Sequence, residues 1–430
     1  MQRRGRLFIT RDAAAVLLIG FMWCRTIGSF IALSLTAEKV FVPVGADPIW
    51  PAAANIVSKL FYLLAVGLAV LVILFRLNDI TRPGLWRLAV LLAPWLYILT
   101  RDVYNGGQPT PESVLYLVVM LALAALRPHP RVLIALGALV VLTAFIAIAL
   151  GFILPDAGRV HDAQGALLER PDKAVFPSLG LLQGMFTAEN SLGVYLAVGV
   201  AAVAMIPRPW LRLAGLAIVG FALAWSSARN SMFAAGFMLM LGSALWAMAQ
   251  FGWQRAASAV ARLATGAVVV MMCALPLSGW LFFGGWDDEA YTGRGVIWNG
   301  SLTEWSSRAF WFGGGRDWYE RIVESDTSTL ISGAYSGHNE FVHLVATGGF
   351  ILAFLAVGSL VAQTYATTLP GSRYLPIAAM LVLGIAISGW LEVPLRYVDG
   401  SVYWTVTVVP LAVLFLARRD DAFGPTGRRR

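Results

Sequence analysis

Three residues in this sequence carry side chains suited to chemistry on a charged, hydroxyl-bearing substrate: His338, Arg294 and Arg229. His338 stands in Gly337-His338-Asn339-Glu340-Phe341 at the head of an apolar run. There the positive end of a helix dipole favours a neutral imidazole, the form that can take a proton from a hydroxyl. Arg294 follows Gly293 in Thr292-Gly293-Arg294, and Arg229 lies in Trp225-Ser226-Ser227-Ala228-Arg229-Asn230-Ser231, a tight connection between apolar runs. Arginine's planar fork grips phosphate oxygens in pairs and keeps its charge when desolvated, so two arginines brought together would hold a diphosphate without a metal. Each residue also has a plainer reading. A lone histidine is commonly a hydrogen-bonded structural residue, and Arg229 could snorkel to lipid headgroups. His343 lies five residues after His338, about 140° further around a helix. Its spacing is not that of a zinc protease, which has histidines four apart. Cys24 and Cys273 both fall in apolar spans, so neither a disulfide framework nor a metal site is indicated.

These residues must be positioned by membrane helices. The chain has 430 residues, 58% of them hydrophobic and 13% charged, with a mean hydropathy of +0.72. That composition excludes a soluble globular domain and describes an all-α polytopic membrane protein. Apolar segments fall near 12–35, 55–75, 85–100, 112–126, 131–154 and 179–206, then near 209–226, 230–250, 259–283, 338–366, 373–391 and 400–417. About twelve transmembrane helices are expected, the third and fourth being short against the ~20 residues needed to cross. Four parts follow: N-terminal membrane helices (1–178), membrane helices bearing Asn190 and Arg229 (179–283), a large extracytoplasmic loop (284–337), and C-terminal helices with a basic cytoplasmic tail (338–430).

Orientation follows from alternate connections. One set holds the N-terminal arginines, Arg76, Arg82, Arg87, Arg127, Arg131, Arg208, Arg212, Arg255, Arg262, Arg373 and the C-terminal arginines, with few acids; the other set is net acidic. Both termini are therefore expected in the cytoplasm and the large loop outside. The net charge of +8 reflects this asymmetry rather than nucleic-acid binding. The basic N-terminus followed by an apolar run resembles a signal peptide, but the run continues past Arg25, and an uncleaved first helix is expected. In the large loop Trp298, Trp305, Trp311 and Trp318 recur at spacings near seven, which predicts short amphipathic helices lying on the bilayer surface. Glu189, inside an apolar run, needs a polar cavity or a partner such as Arg25 or Lys59.

Four blocks together resemble the O-antigen ligase and polymerase superfamily of membrane glycosyltransferases. They are Gly184 to Gly193 with Asn190; Ser226 to Ser231 with Arg229; Thr292-Gly293-Arg294 followed by Trp298 and the glycines at 313–315; and Gly337-His338-Asn339-Glu340 followed by Gly348-Gly349. The resemblance covers roughly 180–365. It implies an all-helical enzyme similar to C-type glycosyltransferases, in the bacterial cytoplasmic (inner) membrane. Such an enzyme takes a glycan from a polyprenyl (undecaprenyl) diphosphate carrier at the outer face. On that resemblance Arg229 and Arg294 hold the diphosphate, His338 activates the acceptor hydroxyl, and Asn190 helps line the cavity. Asn339, Arg316, Asp317 and Glu340 are further candidates for substrate binding, and Asp317 is an alternative base because related peptidoglycan polymerases use a loop carboxylate.

The chemistry needs no cofactor and no metal. A sugar diphosphate already carries a good leaving group, so a base on the acceptor and positive charge on the diphosphate suffice, with inversion at the anomeric carbon. The acceptor hydroxyl would belong to a glycan, a lipid or a protein. The alternative is a transporter that flips lipid-linked oligosaccharides. Transporters, however, place polar or broken helices in both halves of the chain, whereas here the polar groups gather at one face and in the second half.

Overall fold

The computed structural model describes residues 9–36, 50–105, 108–161, 165–168, 170–319, 336–397 and 402–418. The middle of the large loop (320–335), Arg3, Arg4 and Arg6, and the basic residues Arg419 and Arg428 to Arg430 lie outside them. Among the described residues the protein is all-helical, with 75% helix and no strands.

In chain order the helices are α1 (Arg11–Leu35), α2 (Ala52–Arg76), α3 (Arg82–Tyr104), α4 (Pro111–Leu126), α5 (Leu133–Ile153) and α6 (Glu189–Val203). There follow α7 (Pro209–Ser226), α8 (Arg229–Gln250), α9 (Gln254–Phe282), α10 (Ala290–Arg308), α11 (Glu340–Thr367), α12 (Leu375–Ser388) and α13 (Val408–Leu416). Their starts follow local capping chemistry. The side chains of Thr10, Thr81 and Thr110 accept from backbone N–H groups in the first turns of α1, α3 and α4, satisfying donors that would otherwise be orphaned. Among the described residues, seven helices are long and apolar enough to cross a membrane. A helix satisfies its backbone internally, which a bilayer demands. Exposed side chains such as Leu63, Leu74, Leu213 and Phe354 give these helices apolar outer faces suited to lipid.

Each expected apolar segment contains a helix, but two begin late. The segment from 179 becomes helical only at Glu189, because Gly180 and Gly184 take left-handed backbones. The chain there bonds sideways, Leu182 N to Trp225 O and Gln183 N and Gly184 N to Gly158 O. The last segment is helical only over Val408–Leu416.

Helix α12 is buried over all but Pro376 and Ile377 and packs against α6, α8 and α9. Short connections make successive helices antiparallel. The starts of α6, α8 and α11 and the ends of α7, α9 and α12 therefore share one end of the bundle. The described arginines of the alternate connections occupy the other. There Arg87 donates to the carbonyls of Phe415 and Ala417 at the C-terminus of α13, where a cation complements the helix dipole. Arg262 lies 4.0 Å over the Tyr365 ring.

Helix α11 is broken at Gly349, whose φ is 70°. The chain before α11 supplies hydrogen bonds across the break: Gly314 N to Ala346 O at 2.7 Å, Gly315 N to Thr347 O at 2.9 Å and Phe350 N to Phe310 O at 2.8 Å. A Cβ at Gly349 would meet the Trp311 carbonyl oxygen at 2.3 Å. Gly349→Ala is accordingly expected to destabilise the protein by about 1–3 kcal/mol, read as a lower unfolding midpoint in detergent. Gly358→Ala on the same helix, where a Cβ meets nothing within 4 Å, should not lower it. Equal midpoints for the two variants would show that the break is not strained.

The tryptophan expectation is corrected. Trp298 is fully buried, Trp305 and Trp318 are each 6% exposed, and Trp311 alone of the four is open, at 58%. The stripe faces α11, with Trp298 Nε1 donating to Gly337 O and Trp305 Nε1 to Phe310 O. A spacing of seven marks one face of a helix but not what that face meets.

Candidate functional site

The first turn of α11 fixes the site. Asn339 is its N-cap and accepts from Val342 N at 3.0 Å; its amide donates to Met272 O on α9 and to Trp390 O, both at 3.1 Å. Glu340 donates from its backbone N to Gly389 O and accepts from Leu395 N at 2.9 Å. Both residues are fully buried. Their polar atoms tie α9, α11 and the turn at 389–396 together. In this arrangement they position the site and do not border its cavity.

His338, just before that cap, has a left-handed backbone with φ 43°, a conformation uncommon outside glycine. Its Nδ1 lies 3.8 Å from Glu392 Oε2, within ion-pair reach but too long for a hydrogen bond. The other oxygen of Glu392 accepts from Arg294 Nη2 at 2.8 Å. Arg294 also donates from Nε to Leu391 O at 3.1 Å and from Nη1 to Tyr291 O at 3.0 Å. Each of its nitrogens thus has a partner inside the protein, and its direct role is to hold Glu392. Burial would raise the Glu392 carboxyl, but His338 and Arg294 outweigh it and keep the group below the usual carboxylate range. The kink that delivers Arg294 consists of Tyr291, Thr292 and Gly293, all left-handed.

A cavity of about 350 Å³ opens beside this constellation, lined by Asn190, Ser191, Ser336, His338, Glu392, Arg396 and Tyr403, with Phe30 and Phe186 among its apolar residues. Asn190 is one of the lining residues. Glu392 and Arg396 are not among the expected site residues. They stand in Trp390-Leu391-Glu392-Val393-Pro394-Leu395-Arg396, and an acid and a base just past an apolar run were the available signal. Arg396 is also left-handed, with φ 36°. Strain gathers where Arg294, His338 and Arg396 are aimed, as it does at functional sites generally.

Arg229 stands at the same end but is exposed. It donates to the carbonyl of Asp172, and the next residue, Lys173, pairs with Glu189 at 2.6 Å. A strap at 170–175, fastened by Val175 N to Ser227 Oγ, therefore lies between Arg229 and the start of α6, placing Arg229 at the rim. The expected partners of Glu189 are corrected by the same pair, since the strap delivers Lys173, while Arg25 bonds Glu112 on α4. Arg316 and Asp317 pair with each other at 3.0 Å and border a different cavity, so they are not gathered with His338. His343 is buried and stacked on Tyr319 with ring centroids 5.5 Å apart, away from the cavity lining. Among the described residues no group of three or more His, Cys, Asp or Glu is placed to hold a metal ion.

The geometry can do one thing well: accept a proton at the imidazole. Glu392 faces Nδ1, leaving Nε2 to act, and the carboxylate stabilises the imidazolium that forms. Arg396 puts positive charge in the same cavity. No protein-family model matches the chain, and a search of curated proteins finds no match.

Proposed function

We propose that the protein is a membrane glycosyltransferase of O-antigen ligase or polymerase type. It moves a glycan from a polyprenyl diphosphate carrier to an acceptor hydroxyl at the outer face of the bacterial cytoplasmic membrane. The observation that carries this is the row Arg294, Glu392, His338 at the edge of a cavity that also holds Arg396 and Asn190. His338 Nε2 takes the acceptor proton as the acceptor oxygen bonds to the anomeric carbon. The bond from that carbon to the phosphate oxygen breaks, and the polyprenyl diphosphate leaves with the electron pair. Arg396 in the cavity, and Arg229 once the strap yields, offset its charge. One base and direct displacement invert the anomeric centre.

The membrane arrangement belongs to the same reading. Twelve crossings, with α3 and the shorter α4, α6, α12 and α13 among them, put both termini in the cytoplasm. Arginines gathered at the end opposite the cavity support this, since positive connections stay inside.

The test is transfer by the purified chain in lipid nanodiscs, with EDTA present. Arginine charge makes chelation harmless in this account, and the product linkage should be inverted relative to the donor. Transfer abolished by EDTA and restored by magnesium or manganese, or a retained anomeric configuration, would overturn the mechanism.

A further inference from the structure

A second polar cavity, of about 300 Å³, lies where the end of α3 meets the chain at 314–317. Asp102, Asn105, Gln108, Arg316 and Asp317 line it together with Arg101, and among the described residues no aromatic or aliphatic side chain does. Its walls are joined by Arg101 Nη2 donating to Gly313 O at 2.6 Å. Among the described residues the amides of Asn105 and Gln108 make no side-chain hydrogen bond, and both are exposed to the opening.

We infer that this cleft is a subsite for the sugars of an oligosaccharide chain lying beyond the reacting unit, an inference that rests on the glycosyltransferase reading. Among the described lining residues two arginines are matched by two aspartates, so these side chains carry no net charge with which to select a phosphate. Planar amides, carboxylates and guanidinium groups offer paired donors and acceptors, the set that hydroxyl-rich neutral rings require. Its place fits a chain reaching out of the first cavity. Gly314 and Gly315, which border the cleft, bond Ala346 and Thr347, while His338 stands at the other end of the segment 340–348. That segment spans roughly 12 Å at 1.5 Å per residue. Tyr97 on α3 bonds Gly348 O at 2.9 Å, which holds the cleft to the end of the segment.

The subsite would bind the distal sugars of the donor or those of the acceptor, and the experiment separates them. The variant is Asn105→Ala with Gln108→Ala, which touches no residue of the reacting cavity. KM is measured for the lipid-linked glycan isolated from the host, for the host acceptor, and for each truncated to its reacting sugar. Loss of two amide contacts is expected to raise KM roughly tenfold for the long form of one substrate, with no change for the truncated forms. The substrate that shows the difference is the one whose chain lies in the cleft. Equal effects on long and truncated forms, or no effect on either, overturn the proposal. Saturation-transfer NMR with the lipid-free glycan released by mild acid gives a readout independent of catalysis. If the parent chain transfers nothing yet contacts that glycan and the double variant does not, the cleft stands as a glycan site and the transferase reading fails. If the double variant contacts the glycan as the parent does, the cleft is not the site.

Discussion

His338→Ala is expected to slow glycan transfer by ~10² to 10⁴, the usual contribution of a positioned base, while donor affinity stays within about twofold. The separation follows from the proposed mechanism, in which the imidazole acts on the acceptor hydroxyl and the cavity charge that meets the donor comes from Arg396. The fold should survive, because His338 sits in a strained turn before α11, and Asn339 and Glu340 make the contacts that hold the helix start. Removing a left-handed non-glycine residue's large side chain does not unmake those bonds. Equal losses in donor affinity and turnover would assign His338 to donor binding. Unimpaired transfer would remove it from the mechanism.

The second large effect belongs to Glu392. Glu392→Ala should lower turnover into the same range as His338→Ala, because the ring loses the carboxylate that faces Nδ1 and steadies its protonated form. Adding Glu392→Ala to His338→Ala should cost almost nothing more, since groups acting as a unit are not additive. Additive losses would mean that the two act separately. Stability gives an independent reading of the same row. Arg294 and Glu392 are only 15% and 17% exposed, so Arg294→Ala strands a buried carboxylate at a cost of about 3–5 kcal/mol. Arg294→Ala with Glu392→Ala should recover part of that loss. The pH dependence has a definite sign. The Glu392 carboxyl is depressed in the folded protein, so its contribution to stability is complete above the ordinary carboxylate range. It is lost as pH falls through the lower, folded value.

Much of the helical plan was legible because bilayer chemistry writes it plainly. Each apolar run contains a helix, and threonines stand at the caps of α1, α3 and α4 where side-chain oxygens are needed. Asn190 and His338 border one cavity, which no physical spacing in the sequence indicates. The network around Arg294 was not legible either. Its partner Glu392 lies 98 positions away, in a turn with no periodicity, and hydropathy says nothing about which loops meet. The tryptophans misled for a related reason: Trp298 and Trp305 announce a helical face, but only packing decides that α11 covers it. Glu189 likewise found Lys173, a loop residue, because a strap crosses the end of the bundle where the sequence suggested neighbouring helices.

Transfer is followed directly as the polyprenyl diphosphate released per glycan transferred, with purified protein and donor in lipid nanodiscs. The account predicts one carrier released for each glycan joined to acceptor, little release without acceptor, and loss of both in His338→Ala. Donor crossing a proteoliposome membrane without carrier release, with or without acceptor, would contradict it and identify a transporter.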